Sequence, residues 1–357
     1  MTIKMSAPGK LYIAGEYAVV QPQHLALITP TPQRIHVEIT PSTQSGSIHS
    51  PLFTQMPVKW YRRQGQLVLD QRENPYHLIV AALQVVEELV HELDLDARYY
   101  HLNVTSELNR QDGVKYGLGS SGAVTVATVK AALAFYGLDY FMDQPLNIFK
   151  LAAISHLRIN HNGSAGDLAT STFEQSILYS SFDRDWVRNQ LAHGASLLTL
   201  LEITWPSLEI RPFTIHPSIQ MLVGWTGVPA STTDTLDELE DVQSNLMLTD
   251  EMFGAQSDRY VLDLKSALEH GNWSSIKENI AQLRQLLLQY TAQHHITLET
   301  PPLQELIQLS QAHQLAAKSS GAGGGDCGIC FYPAQEAHRA DELKQNWQDK
   351  QITPLAF

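Results

Sequence analysis

The stretch Lys115-Tyr116-Gly117-Leu118-Gly119-Ser120-Ser121-Gly122-Ala123 runs straight into an apolar segment, 124–136, that Gly137 closes. Glycines and serines ahead of an apolar run with a glycine stop spell a helix entered through a tight turn. The first turn of a helix has N–H groups without intrahelical partners and the positive end of the dipole. Glycine lets that backbone approach an anion, and serine hydroxyls can donate to it or meet a metal. Gly117, Leu118, Gly119, Ser120, Ser121, Gly122 and Ala123 therefore read as a phosphate cradle.

The same letters satisfy the dinucleotide pattern G-x-G-x-x-G. That pattern needs a buried parallel strand directly before it. Here the preceding residues, Glu107-Leu108-Asn109-Arg110-Gln111-Asp112-Gly113-Val114-Lys115, form a charged loop. A second helix, 146–157, follows where a strand ending in an acid is required. The loop is not a Walker A motif either, since no Gly-Lys-Ser/Thr follows. A nicotinamide oxidoreductase is set aside on these grounds. A tight helix start with no ligand stays open for this loop taken alone.

Outward from the loop, the chain alternates strand and helix signals. Residues 3–6 and 11–14 read as two short strands joined by Ala7-Pro8-Gly9, and 25–28 and 34–40 continue a β-rich start. Residues 41–66 suit hairpins and loops. Asn74-Pro75 opens a helix whose apolar residues Leu78, Ile79, Leu83, Val86, Leu89, Val90 and Leu93 recur at helical spacing. Residues 100–104 read as a strand. On the other side, the polar stretch 163–170 leads to a helix and to a strand at 177–180. Residues 197–203, 210–213 and 221–225 read as strands, and 233–316 as amphipathic helices broken at Gly271 and Pro301-Pro302. A second glycine loop, 319–328, enters a strand at 329–332.

A length of 357 residues suggests two domains, expected at 1–190 and 191–357 with the boundary in the polar segment 182–194. With 43% hydrophobic and 17% charged residues the chain is a globular one. A net charge of −13 argues against nucleic-acid and anionic-membrane partners, which need surplus Lys and Arg. It does not oppose phosphate ligands, which need only a few local cations and aimed N–H groups. There is no signal-peptide pattern and no membrane-length apolar run, so a cytoplasmic location is expected. Cys327 and Cys330 are the only cysteines. They enter a strand at odd spacing and should face opposite ways, which suits neither a redox pair nor a zinc site.

Two further stretches carry chemistry. One is Ala7-Pro8-Gly9-Lys10-Leu11-Tyr12-Ile13-Ala14-Gly15-Glu16-Tyr17, a strand pair with a lysine near a turn. The other is Ser319-Ser320-Gly321-Ala322-Gly323-Gly324-Gly325-Asp326-Cys327-Gly328. Such glycine density costs chain entropy and implies something close to the backbone. The three stretches, in this order near the start, middle and end, resemble the three signature motifs of GHMP kinases. The segments 10–19, 115–122, 162–169 and 224–231 resemble the bacterial phosphomevalonate kinase branch. Tyr12, Tyr17 and Lys115 carry that distinction from mevalonate kinase better than the glycines do.

The resemblance implies an α+β fold in two domains. The N-terminal one is α/β, like ribosomal protein S5 domain 2, and binds ATP. The C-terminal one is ferredoxin-like, and the active site lies between them. It implies ATP and Mg²⁺ as cofactors and phosphomevalonate as the acceptor, with a monomer or homodimer as the state. Lys10 and Lys115 are the implied cations between two polyanions, and Asp167 is the implied catalytic aspartate. Ser121 is the implied metal ligand, with Ser120 bonded to Glu16. Tyr17, Ser164, Ser231, Gly321, Ala322 and Gly323 join Lys10 at the acceptor end. No Asp or Glu lies between Gln144 and Gly166, so a second metal carboxylate before Asp167 is missing. Tyr76 is a candidate for the adenine pocket. Mevalonate kinase, diphosphomevalonate decarboxylase and a non-catalytic metabolite sensor on the same fold are the alternatives.

Overall fold

The computed structural model describes residues 1–52, 54, 56–70, 75–110, 112–160, 162–227 and 248–357. Its first sheet is built on two long strands, β1 (Ile3–Ala14) and β2 (Leu25–Ser42). Both replace pairs of shorter strands expected from the sequence. In β1 the Ala7-Pro8-Gly9 turn is instead a bulge: the register against β2 shifts between Pro8 and Lys10, and the strand runs on. In β2 the prolines at 30 and 32 bend the ladder without ending it.

Strands β3 (Gly46–His49), β4 (Val58–Arg63), β5 (Gln66–Leu69), β6 (Tyr99–Ser106), β7 (Ile177–Ser180) and β8 (Glu209–Pro212) complete the sheet in the order β5-β4-β3-β6-β2-β7-β8, with β1 on β2. Alternate residues of β2 and β6, such as Val37, Ile39, Leu102 and Val104, are buried, so one face is covered. The covering helices are α1 (His77–Glu92), α2 (Ser120–Tyr136), α4 (Pro145–Arg158) and α5 (Gly166–Phe173), with the short α3 (Asp139–Met142) between. Helix α2 is apolar on every side and packs directly on β1 and β2. A helix of that composition belongs in the centre of a core. That placement puts its first turn beside the bulge in β1.

The expected division after residue 190 falls within α6 (Arg184–Ala192), and the first sheet takes in β8 beyond it. The strand expected at 197–203 is a helix, α7 (Leu197–Glu202). Ser196 caps it, and the carboxylate of Glu92 accepts from the N–H groups of Leu197 and Leu198 at 2.8 and 2.9 Å. Four leucines in five positions do not distinguish a buried strand from a buried helix; the caps decide.

The second sheet is antiparallel, in the order β10-β11-β9-β12. Its strands are β9 (Ile219–Trp225), β10 (Ala316–Ser319), β11 (Cys327–Pro333) and β12 (Thr353–Leu355). Helices α8 (Asp250–His270), α9 (Trp273–Gln293) and α10 (Pro301–Ala312) lie between β9 and β10, and α11 (Ala337–Asp349) lies between β11 and β12. This is the ferredoxin-like order with extra helices in the first crossover. Cys327 faces the main core and Cys330 a separate cluster around Leu306 and Trp347, on opposite sides of β11 as its spacing requires. Both are free thiols. Among the described residues, no helix is long and apolar enough to cross a membrane.

Candidate active site

The bulge in β1 delivers Lys10 to the start of α2. A side chain on Gly9 would lie 2.4 Å from the carbonyl oxygen of Leu118, so only glycine permits that approach. The Lys10 N–H then donates to the same oxygen at 2.8 Å. Gly119, left-handed with φ +75°, is the N-cap of α2. The stem of Lys10 lies across it: a Cβ at Gly119 would meet Lys10 Cγ at 2.8 Å and Cε at 3.0 Å. The ammonium sits 4.9 Å from the centroid of the Tyr12 ring and joins none of the ion pairs among the described residues. The helical ladder begins with Ala123 N–H to Gly119 O. The N–H groups of Ser120, Ser121 and Gly122 precede it, beside a lysine, which is an anion site by geometry and charge.

Asp167 stands in the first turn of α5, whose N-cap, Ala165, is left-handed with φ +60°. One carboxylate oxygen accepts from the Leu168 N–H at 2.9 Å. The carboxyl lies against Gly122, so the starts of α2 and α5 face each other with Asp167 between them. Next to it, the Tyr12 hydroxyl and Ser164 Oγ are 2.8 Å apart, and the Tyr179 hydroxyl donates to the Ser164 carbonyl at 2.5 Å. Burial raises the Tyr12 pKa well above the ordinary phenol value. The Ser164 bond works against that shift, and the charges of Asp167 and Glu16 add to it. Tyr12 is therefore a neutral hydroxyl throughout the physiological range.

The second glycine loop closes the far side. Ser320 Oγ donates to the Tyr12 carbonyl at 2.8 Å, and the Tyr17 hydroxyl donates to the Ala322 carbonyl at 2.5 Å. The Asp326 carbonyl accepts from the Thr226 N–H and hydroxyl, both at 2.9 Å, and its carboxyl rests on Gly117. Cys327 Sγ donates to the Tyr116 carbonyl at 3.2 Å. Burial pushes the Cys327 thiol far up, so it is no nucleophile here.

Of the residues expected from the sequence, Lys10, Gly117 to Ala123, Asp167 and Ser164 lie together around the starts of α2 and α5, and Tyr17 ties the loop of Gly321, Ala322 and Gly323 to the segment after Lys10. Ser121 is in the first turn of α2, next to Gly122. Lys115 is on the loop before it, exposed, in a backbone bridge with Asn109. Ser231 lies outside the described residues. The expected Ser120–Glu16 bond is not formed: Glu16 Oε1 accepts from Lys318 Nζ and from the Gly321 N–H. Tyr76 is buried; its hydroxyl accepts from the Ser50 N–H at 3.1 Å and lies 2.8 Å from Thr54 Oγ1, a packing contact. Sequence reasoning missed Lys318, Asp326 and Tyr179. Lys318 and Asp326 flank the glycine loop, and a lysine in an otherwise apolar strand was the one signal present. Nothing local marks Tyr179. No group of three or more His, Cys, Asp or Glu forms a metal cage among the described residues.

Comparison with known proteins gives the family. Residues 77–175 match the GHMP kinases N terminal domain, and residues 264–352 match the GHMP kinases C terminal model. Phosphomevalonate kinase of Streptomyces sp. (strain CL190) is 34% identical over 365 residues, covering 99% of this chain and 96% of that one. Streptococcus pneumoniae phosphomevalonate kinase in complex with phosphomevalonate and AMPPNP superposes with a TM-score of 0.85 at 33% identity, over 100% of this chain and 98% of that one. A Listeria innocua protein of solved structure superposes with a TM-score of 0.90 at 30% identity, over 100% and 97%. With both signature domains in place and a full-length relative at this identity, the chain belongs to the GHMP kinases.

Proposed function

We propose that this chain transfers the terminal phosphoryl group of ATP to the phosphate of phosphomevalonate, giving the diphosphate. One observation carries it: Lys10, which pairs with no carboxylate among the described residues, lies across the first turn of α2, and Asp167 lies against that same turn, in a chain similar over its whole length to phosphomevalonate kinases. Phosphoryl transfer asks for alignment and charge neutralisation more than for covalent help. The N–H groups of Ser120, Ser121 and Gly122 take the nucleotide phosphates. Lys10 stands between donor and acceptor, and Lys115, exposed on the loop before α2, supplies a second cation. Ser164, Tyr17 and the loop of Gly321, Ala322 and Gly323 hold the acceptor end.

The donor types suit Mg²⁺. Asp167 presses on Gly122, the residue after Ser121, so a carboxylate and a hydroxyl are available at the adjoining starts of α5 and α2. Magnesium usually takes one or two such oxygens and completes its shell with water and substrate phosphates. When bound, it neutralises charge on the phosphates. The acceptor phosphate has a second pKa near about 6, so it is already largely ionised at neutral pH. Asp167 therefore acts chiefly by orienting Lys10, the acceptor or the metal, and not as a base. ADP release on phosphomevalonate, absent with mevalonate and abolished by Lys10→Met, tests the reading; turnover of mevalonate alone would overturn it.

A further inference from the structure

Lys318 is the most enclosed cation of the cleft. It lies in β10 with a side chain that is 0% exposed, on the strand that leads into the second glycine loop. Its ammonium donates to Glu16 Oε1 at 2.5 Å and to the Ser319 carbonyl at 2.7 Å. Glu16 is itself 2% exposed and comes from the first motif, 302 residues away in the chain. Its Oε2 has no hydrogen-bond partner among the described residues, so Lys318 and the Gly321 N–H are what its charge meets.

A buried ion pair is weak evidence for stability, because two hydrophobic side chains would do as well; its best-attested use is to fix one arrangement among several. The loop it adjoins needs fixing. Gly321, Gly323, Gly324 and Gly325 all have positive φ, so the backbone has no side-chain restraint of its own. Three successive residues of the loop are tied to the segment just after Lys10: Ser320 to the Tyr12 carbonyl, Gly321 to Glu16, and Ala322 to the Tyr17 hydroxyl. The central tie alone is ionic, and it reaches the loop's entry strand and its backbone with one oxygen.

We infer that Lys318 is a positioning residue for phosphoryl transfer: through Glu16 it sets the loop 321–323, which receives the acceptor, against the strand that carries Lys10. The acceptor's identity in this statement rests on the reading given under Proposed function. Neither residue need touch a substrate for this role.

The test compares Lys318→Met, Glu16→Gln and the double variant by steady-state kinetics and by amide hydrogen exchange. Each single change should raise KM for phosphomevalonate about tenfold or more while KM for ATP stays within about twofold. Exchange over 319–325 should rise with no change in α1 or α2. The double variant buries no lone charge and should lie between the single variants and the wild type. Should a single variant fail to fold, the double variant carries the same two readouts. Unchanged exchange over 319–325, or equal loss of affinity for both substrates, would overturn the inference. A wild-type protein silent on phosphomevalonate would sink the acceptor assignment instead, and loop exchange would still decide the role of the pair.

Discussion

The carboxyl of Asp167 lies so close to Gly122 that a Cβ on that glycine would stand 2.6 Å from Oδ2 and 2.7 Å from Cγ. The backbone of Asp167 is at 2.9 Å, so rotating the side chain away does not relieve the contact. This one relationship joins the phosphate-binding turn of α2 to the acidic turn of α5.

Gly122→Ala separates activity from helix propensity. Alanine inside a helix is favoured over glycine by about 1 kcal/mol. Here the methyl group drives Asp167 out of register. We expect kcat to fall by about 10²-fold, the usual cost of a small misplacement in such a site. Melting temperature should change little, since the propensity gain offsets part of the clash. Full activity in Gly122→Ala would show that Asp167 need not sit there.

Lys10→Met should reduce kcat by about 10²–10³-fold, the range for losing one charge-stabilising group. The stem still covers Gly119, and no ion pair among the described residues is lost, so circular dichroism and thermal unfolding should match the wild type.

Asp167→Asn should lower activity by a similar factor at every pH from about 6 to 9, because an orienting group takes no proton from the acceptor in the reaction. A loss confined to low pH, where the acceptor phosphate carries a proton, would show that Asp167 acts as a base.

Much of this was legible in the sequence, for a physical reason. Anion sites are made of backbone, so they leave glycines and serines in a fixed order, and Gly117 to Ala123 suggest such a turn on their own. Lys10 and Asp167 are reached only through the resemblance to GHMP kinases, since neither carries a local signal of its own. Long-range contacts left no local trace. The ionic tie from Glu16 to Lys318 joins residues 302 apart, and the Tyr179 hydroxyl reaches the Ser164 carbonyl from the strand beyond α5. The helix at Leu197–Glu202 was misread because its start depends on Glu92 in another helix. The bulge at Gly9 was read as a turn because the carbonyl of Leu118 that shapes it is more than a hundred residues away.

The thiols offer an independent check on the loop's packing. Burial pushes Cys330 up to about 12 and raises Cys327 as well, so both stay protonated at neutral pH. A thiol reagent should find neither in the native protein within minutes and both after denaturation in urea. Rapid labelling of Cys327 in the native state would mean that the second glycine loop does not rest on Tyr116 as described.

The central claim is met most directly by a coupled ADP-release assay with ATP and Mg²⁺, run in parallel on mevalonate, phosphomevalonate and diphosphomevalonate. The expected result is turnover on phosphomevalonate alone, lost in Lys10→Met. Turnover on mevalonate or diphosphomevalonate with none on phosphomevalonate would contradict it, as would silence on all three from a protein that still binds ATP.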